Sequence, residues 1–123
     1  MHDTRKKLFI VDDDAALIRV YDRMLRPILE INGVEVQTFG DADSVLEAIE
    51  REGMPTVLLT DDRMPNMTGR ELAARLRQRG YDGKILMVSG TADEDVLADG
   101  VDELMQKPVD TALLRNTVRS FLG

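Results

Sequence analysis

Short apolar runs alternate with amphipathic segments along this chain, a pattern that predicts helices packed on a mostly parallel sheet. Three of the runs are apolar without alternation, as is typical of strands covered on both faces. A fourth, Val34–Val36, alternates, and we expect it at an edge of the sheet. In chain order, the strand-like runs are Leu8–Val11, Val34–Val36, Val57–Leu59, Ile85–Val88 and a weak Leu104–Met105.

The segments between these runs carry apolar residues at helical spacing. In the first helix, Pro27 predicts a kink or an early end, and Asn32-Gly33 should stop the chain from continuing as a helix. The second helix should be capped by Asp43 or Ser44. The apolar positions of the first, second, third and fifth helices are Leu17, Tyr21, Met24, Leu25 and Ile28; Val45, Leu46 and Ile49; Leu72, Ala73 and Leu76; and Leu113, Leu114, Val118 and Phe121.

The remaining helix signals complete five β-α units. Gly80 should close the third helix, Asp93–Leu97 is at most a short fourth helix, and Asp110 should cap the fifth. A right-handed crossover in each unit gives a doubly wound, five-stranded parallel sheet with helices on both faces. The chain is therefore expected to be one domain, residues 1–123, with residues 1–6 as a flexible leader.

Polar side chains are concentrated where the predicted strands end. Asp12-Asp13-Asp14 follows the first strand, Asp61-Asp62 the third, Ser89-Gly90 the fourth and Lys107-Pro108 the fifth. In doubly wound sheets, the working site lies outside the carboxyl ends of the strands. We therefore expect these groups to form one site.

The residue types at these strand ends favour phosphoryl chemistry. Carboxylates held close together repel each other unless they protonate or share a cation, and oxygen-only ligands favour Mg²⁺. A lysine supplies positive charge to a phosphoryl oxygen, and a serine followed by glycine can donate a hydrogen bond to another. A carboxylate nucleophile, Mg²⁺, an ammonium and a hydroxyl are together the parts needed to accept a phosphoryl group.

Composition narrows the alternatives. The chain has 23 acidic and 16 basic residues, a net charge of −7 and no cysteine, which excludes disulfides, thiolate zinc sites and cysteine nucleophiles. His2, in the leader, is the single histidine, which argues against a Ser-His-Asp triad or a histidine phosphodonor. The acidic balance disfavours nucleic acid and anionic lipid as partners. With no long apolar span or signal-peptide core, a cytoplasmic location is expected.

Four segments together resemble the receiver domain of two-component response regulators. They are Phe9–Asp14, Pro55–Gly69 with its Asp-x-x-Met-Pro-x-Met-x-Gly pattern, Val88–Gly90 and Gln106–Pro108. The similarity extends from about Lys7 to Phe121. It implies a flavodoxin-like fold and a signalling protein rather than an enzyme. Such a domain takes a phosphoryl group from a sensor histidine kinase or phosphotransfer protein onto an aspartate, requires Mg²⁺, and then acts on a downstream protein effector.

The resemblance also implies a role for each residue of the site. The acceptor stands four positions before Pro65, which selects Asp61, and Asp62 is then a solvated loop carboxylate. Asp13, Asp61 and the backbone carbonyl of Arg63 would bind Mg²⁺ directly, with Asp12 acting through water. Asp14 would begin the first helix. Lys107 would pair with Asp61 or the phosphoryl group, Ser89 would hydrogen-bond a phosphoryl oxygen, and the Lys107-Pro108 bond would be cis.

The sequence departs from the family in three places. Leu104 stands where the family usually has an aromatic residue that takes part in switching. The interval from Ser89 to Lys107 is about four residues short, so the fourth helix should be shortened, and we expect no dimer through the usual version of that surface. The first helix and its turn, near Pro27, are about four residues longer, which predicts altered geometry toward the kinase.

Three other functions compete with this interpretation. An aspartyl phosphohydrolase resembling the haloacid dehalogenase group would use an Asp-x-Asp-x-Thr/Val motif, which Asp12–Ala16 fails at its last position. A flavodoxin-like cofactor binder would need a Ser/Thr/Gly-rich loop where three aspartates stand. A pseudo-receiver interaction module, which keeps the fold without phosphorylation, is left open by Leu104 and the short fourth helix. The sequence also leaves open whether the receiver stands alone or belongs to a larger protein.

Overall fold

The computed structural model describes residues 5–91 and 93–123. Within them, five parallel strands form one sheet in the order β2-β1-β3-β4-β5, which confirms the doubly wound architecture and places the second strand at an edge. The elements are β1 (Lys7–Val11), α1 (Ala15–Ile31), β2 (Glu35–Phe39), α2 (Ala42–Glu52), β3 (Val57–Asp61), α3 (Gly69–Gln78), β4 (Lys84–Ser89), a 3₁₀ segment (Glu94–Asp99), β5 (Glu103–Gln106) and α4 (Thr111–Leu122).

The core consists of two apolar layers, one on each face of the sheet. Side chains of a strand alternate between faces, so Phe9 and Leu58 pack with α2 and α3, while Leu8 and Leu59 pack with α1 and α4. Every residue of β3 is buried because helices cover both of its faces. This sandwich fixes the position of the strand ends at which the polar residues stand.

Helix α1 continues through Pro27 to Ile31, so the early end that we considered does not occur. Proline has no N–H to donate to the carbonyl four residues earlier, which weakens the helix at this point. Arg115 of α4 donates its Nε–H to the carbonyl of Met24, in the turn that precedes Pro27, and so ties the two helices together. Asn32 caps the helix and Gly33 follows with a φ of 62°, as the Asn-Gly pair predicts.

The caps of the helices are mostly as predicted, with one correction. Asp14 begins α1 and Asp110 begins α4, each accepting hydrogen bonds from backbone N–H groups of the first turn. The predicted cap of α2, Asp43 or Ser44, is wrong. Asp41 caps α2 instead, because its carboxylate lies three residues before Ser44 and accepts that residue's N–H at 2.7 Å. These hydrogen bonds lower the pKa of Asp41 below its ordinary value.

The fourth helix is reduced to the 3₁₀ segment Glu94–Asp99, as the short interval before Lys107 predicts. The predicted leader lies largely outside the described residues, since its first four positions, including His2, are not among them. Lys6, at its end, donates a hydrogen bond to the carbonyl of Leu122. No helix of the described ranges is both long and apolar enough to cross a bilayer.

Candidate functional site

Residues from the ends of three strands surround a cavity of about 280 Å³ at one edge of the sheet. Asp61 is the last residue of β3, Ser89 is the last residue of β4, and Lys107 follows β5 directly. The parallel register brings these ends together, and the N–H of Lys107 donates to the carbonyl of Ser89 at 2.7 Å. The cavity is lined by Asp61, Arg63, Ser89, Gly90, Thr91 and Lys107.

Lys107 is the cation that contacts the buried carboxylates of the site. Its Nζ lies 2.9 Å from Oδ1 of Asp61 and 3.9 Å from Oδ2 of Asp12. Both carboxylates are buried, with Asp61 7% exposed and Asp12 1% exposed, so the ammonium offsets two charges that water reaches poorly. The expected pairing of Lys107 with Asp61 is present, and the Lys107-Pro108 bond is cis, as the family resemblance implied.

Asp12, Asp13 and Asp61 form a cluster of carboxylates. One oxygen from each lies within 4.8 Å of the others, and Asp13 is the exposed member. The Oδ1 of Asp12 accepts the N–H of Asp14 at 2.8 Å. Its Oδ2 is buried and accepts no hydrogen bond from residues 5–91 and 93–123, because the Nζ of Lys107, 3.9 Å away, is too distant to donate one. A buried, unpartnered carboxylate oxygen is costly unless a cation or a proton satisfies it.

The environment of Asp12 raises the pKa of its carboxyl from 3.8 to about 6. Burial is the largest cause, because it disfavours the charged form, and the negative charge of Asp61 adds to it. The N–H of Asp14 and the ammonium of Lys107 act in the opposite direction without cancelling the shift. The folded protein therefore holds a carboxyl that gains from any additional positive charge.

These donors fit a magnesium ion. Three carboxylates supply hard oxygen ligands, and Mg²⁺ prefers one to three such groups together with water. The exposure of Asp13 leaves a route from solvent, while the unpartnered oxygen of Asp12 is the kind of atom that a cation would satisfy. Arg63 lines the adjacent cavity, and the assignment of its carbonyl as a third ligand stays a prediction.

Two hydroxyls face each other on the β4 side of the cavity. The Oγ of Ser89 lies 3.3 Å from Oγ1 of Thr91 and accepts the N–H of Thr91 at 3.2 Å. Sequence reasoning selected Ser89 and missed Thr91. The available signal was its position two residues after a strand-terminal serine, where a tight turn brings the second hydroxyl back to the first.

Asp62 is not among the residues that line the cavity, and it is less solvated than predicted. Its side chain is half-buried, and Oδ1 accepts the N–H of Arg70 at 3.3 Å, at the N-terminus of α3. A carboxylate is stabilised there by the free N–H groups of the first turn. Asp62 thus attaches the loop after β3 to α3.

Leu104 is partly buried and packs against the layer that contains Phe9 and Leu58. It therefore occupies its position as a core residue of β5, as predicted. The Cγ and Cδ atoms of a leucine cannot supply the hydroxyl or ring of an aromatic side chain, so any switching here proceeds without one.

Residues 8–119 match the family model described as the response regulator receiver domain. The phosphate regulon transcriptional regulatory protein PhoB of Rhizobium meliloti is 34% identical over 122 residues, covering 94% of this chain and 52% of PhoB. The C4-dicarboxylate transport transcriptional regulatory protein DctD of Pseudomonas aeruginosa is 27% identical over 124 residues, 98% of this chain and 26% of DctD.

Solved structures show the same fold. The CheY-like response regulator receiver domain protein of Methanospirillum hungatei JF-1 superposes with a TM-score of 0.81 at 30% identity. The match covers 95% of this chain and 93% of that structure. By contrast, this chain spans only about a quarter to a half of the length of the curated relatives it matches.

Proposed function

Since this chain belongs to the response regulator receiver domain family, we propose that it accepts a phosphoryl group on Asp61 from a phosphohistidine, in a Mg²⁺-dependent reaction. The observation that carries the proposal is the placement of Asp61. Its carboxylate is buried, lies 2.9 Å from Nζ of Lys107, and faces a cavity with a hydroxyl on its far wall. The donor would be a sensor histidine kinase or a phosphotransfer protein.

Transfer requires one new bond at Asp61. A carboxylate oxygen bonds to phosphorus while the bond from phosphorus to the donor's histidine nitrogen breaks, and the electron pair of that bond stays on the imidazole. Mg²⁺, when bound by Asp12, Asp13 and Asp61, supplies charge neutralisation for the phosphoryl oxygens. Lys107 already contacts Oδ1 of Asp61, and we infer that its ammonium moves to a phosphoryl oxygen as the acyl phosphate forms.

Ser89 completes the set of donors. In the structure, its Oγ interacts with Thr91 and not with Asp61. The O–H bond of a serine can rotate about the Cβ–Oγ bond, so the hydroxyl of Ser89 can instead donate to a phosphoryl oxygen in the cavity. Fixed donors placed where charge develops stabilise the transfer more than the same groups would in water.

An apolar groove beside the site is a suitable contact for the phosphodonor. It has a volume of about 410 Å³ and runs between α1 and the loop that joins β5 to α4, with Lys107 at its border. Val20 is 39% exposed on α1 although it is apolar. We propose that helices of the kinase or phosphotransfer protein pack here. The groove is lined by Leu17, Val20, Tyr21, Met24, Lys107, Pro108 and Val109.

The output remains open to experiment. The curated relatives are named as transcriptional or DNA-binding regulators, but this chain corresponds to only part of their length. We propose that the phosphorylated domain acts on a protein effector, in the cytoplasm, and does not contact nucleic acid itself, since its own net charge is −7. The absence of the usual dimer through the shortened fourth-helix surface also stays a prediction.

The first prediction tests the acceptor. With acetyl phosphate and Mg²⁺, intact-protein mass spectrometry should show the gain of one phosphoryl group in the wild type and in Asp62→Asn. Asp61→Asn should show none, because its amide is not a nucleophile for phosphorus. No gain in the wild type would support the pseudo-receiver, continuous release of phosphate from small esters would support the phosphohydrolase, and a gain retained by Asp61→Asn would move the acceptor elsewhere.

The second prediction concerns Lys107. Lys107→Met removes an ammonium 2.9 Å from Asp61 and 3.9 Å from Asp12, so Mg²⁺ should bind the cluster about tenfold more tightly, at a cost in phosphoryl acceptance. Calorimetric titration with Mg²⁺ measures the first effect. Lys84→Met is a matched control, because Lys84 is exposed at the start of β4, where its ammonium lies over the ring of Phe121. An unchanged or weaker Mg²⁺ affinity in Lys107→Met would contradict the placement of the ion.

A further inference from the structure

Two arginines on one face of α3 hold the 3₁₀ segment. Residues seven apart in a helix lie on the same side, and Arg70 and Arg77 have this spacing. The Nη2 of Arg70 lies 2.7 Å from Asp93 and its Nε lies 3.2 Å from Asp99, at the two ends of the segment. Arg77 donates to the carbonyl of Gly100 at 2.7 and 3.0 Å and to Asp102 at 2.8 Å.

These polar contacts matter because the segment has little apolar anchoring. Val96 is buried at 2% exposure, but Leu97 is 46% exposed. A short 3₁₀ turn has weak hydrogen bonds of its own. Its position relative to the sheet therefore depends on the arginines of α3 together with the buried side chains of Val96 and Val101.

Arg70 joins the two loops that border the cavity of Asp61. Its backbone N–H donates to Asp62, the residue that directly follows Asp61. Its guanidinium binds Asp93, which stands two positions after Thr91, the hydroxyl partner of Ser89. One residue thus connects the loop of the acceptor with the loop of the hydroxyl donors.

We propose that Arg70 is a positioning residue for phosphoryl acceptance, which sets the distance between the hydroxyl loop after β4 and Asp61. The inference rests on the proposed function. Arg70 is not among the residues that line the cavity or form the carboxylate cluster, so any effect of its side chain on phosphoryl acceptance acts through the residues that it contacts. Loss of its side chain should leave Mg²⁺ binding intact and impair only the step that needs the hydroxyls in place.

The test compares Arg70→Gln with Arg75→Gln. Both remove one positive charge from α3, but the side chain of Arg75 is exposed and makes no hydrogen bond or ion pair with the part of the chain that the structure describes. At saturating Mg²⁺, the rate of phosphorylation by acetyl phosphate should fall about fivefold in Arg70→Gln and stay unchanged in Arg75→Gln. Arg70→Lys should recover part of the rate, because a lysine keeps the charge but cannot pair with both aspartates as a guanidinium does.

Two further measurements separate positioning from general damage. The Mg²⁺ affinity of Arg70→Gln should equal that of the wild type. In a double-mutant cycle, Asp99→Asn should slow phosphorylation on its own and add less than its full effect to Arg70→Gln, because both changes break the same pair. Additive effects, a rate equal to that of Arg75→Gln, or a parallel loss of Mg²⁺ affinity would each overturn the proposal.

Amide hydrogen exchange tests whether Arg70 holds the 3₁₀ segment, independently of whether the protein accepts a phosphoryl group. In unphosphorylated protein, the amides of residues 93–101 should exchange faster in Arg70→Gln than in Arg75→Gln, since the segment loses a tie at each end. If Arg70→Gln exchanges faster but the wild type takes up no phosphoryl group, the proposed function is wrong while the contact between Arg70 and the 3₁₀ segment is supported. Unchanged exchange would show that Arg70 does not hold the segment.

Discussion

Gly69→Ala should lower the free energy of unfolding by about 3 kcal/mol or more, a larger loss than most single substitutions cause. A Cβ on Gly69 would lie 2.1 Å from the carbonyl oxygen of Asp61, and 3.1 Å from both the carbonyl carbon of Asp61 and the Cα of Asp62. All three are backbone atoms, so no side chain can rotate away to make room. Relief requires α3 to move from the end of β3, where Gly69 also donates its N–H to the carbonyl of Asp62 at 2.8 Å.

Urea denaturation measures this loss, with Gly40→Ala as the control. A Cβ on Gly40 meets nothing within 4 Å, and the backbone there is not in the left-handed region, so its stability should change by less than about 0.5 kcal/mol. The midpoint and slope together give the free energy. If Gly69→Ala were as stable as Gly40→Ala, the close approach of α3 to Asp61 would be wrong. The same displacement of Asp61 should also slow phosphoryl acceptance in whatever fraction of Gly69→Ala is folded.

The strand ends could be predicted because their signals are local. Apolar runs such as Val57–Leu59 mark buried strands, and the rule that parallel strands place their carboxyl ends at one edge then brings Asp61, Ser89 and Lys107 together. The choice of Asp61 over the adjacent Asp62 came from the family resemblance, through its position four residues before Pro65, and it stays a prediction. Predicting that these strand ends meet required no knowledge of contacts between helices or loops.

The features that sequence reasoning missed depend on contacts between distant segments. Arg70 is one of several arginines in the third helix, and only the fold shows Asp93 and Asp99 beside it. Pro27 predicts a kink or an early end of the helix from local sequence alone. That rule cannot include Arg115, which lies 91 positions from Met24 and donates its Nε–H to the carbonyl of Met24. The α2 cap failed for a different reason, since Asp41, Asp43 and Ser44 are all good caps and only the backbone conformation selects Asp41.

The two halves of the site stand on different parts of the sheet. Asp12 and Asp61 are held by β1 and β3 in the interior of the sheet, with helices on both sides. Ser89 and Lys107 stand toward the other edge, where β5 is short and the neighbouring segment is a 3₁₀ turn. A phosphoryl group on Asp61 would thus lie between the carboxylates at the ends of β1 and β3 and the donors that stand at the ends of β4 and β5.

Asp12 should make the protein less stable as the pH rises from about 4 to 6 in the absence of Mg²⁺. The carboxyl has a pKa of about 6 when folded and 3.8 as the ordinary value, so the folded state binds more protons across this interval. The contribution of Asp12 to stability is therefore fully present below pH 3.8 and is lost as the pH rises through about 6. A difference of this size corresponds to about 3 kcal/mol, reduced by relaxation of the site. Other carboxylates add their own slopes, so the difference between two variants is the informative quantity.

Asp12→Asn isolates that slope. The amide cannot ionise, so at pH 7.5 without Mg²⁺ this variant should be more stable than the wild type by about 1 to 3 kcal/mol, and the advantage should disappear near pH 4. Asp82→Asn removes an exposed carboxylate in the loop before β4 and should show neither effect. Thermal unfolding monitored by circular dichroism from pH 4 to pH 8 gives the comparison. A constant difference between Asp12→Asn and the wild type across this range would mean that Asp12 titrates normally.

Magnesium should reverse the order of stability of the wild type and Asp12→Asn at pH 7.5. At pH 7.5 a bound ion would satisfy the oxygen of Asp12 that makes no hydrogen bond, so Mg²⁺ should raise the melting temperature of the wild type and do so much less for Asp12→Asn. At pH 5 the proton on Asp12 competes with the ion, and the wild-type gain should shrink toward that of the variant. Asp82→Asn should respond to Mg²⁺ as the wild type does. Equal stabilisation of Asp12→Asn and wild type at pH 7.5 would show that the ion binds without Asp12, and the buried carboxylate would then need another explanation.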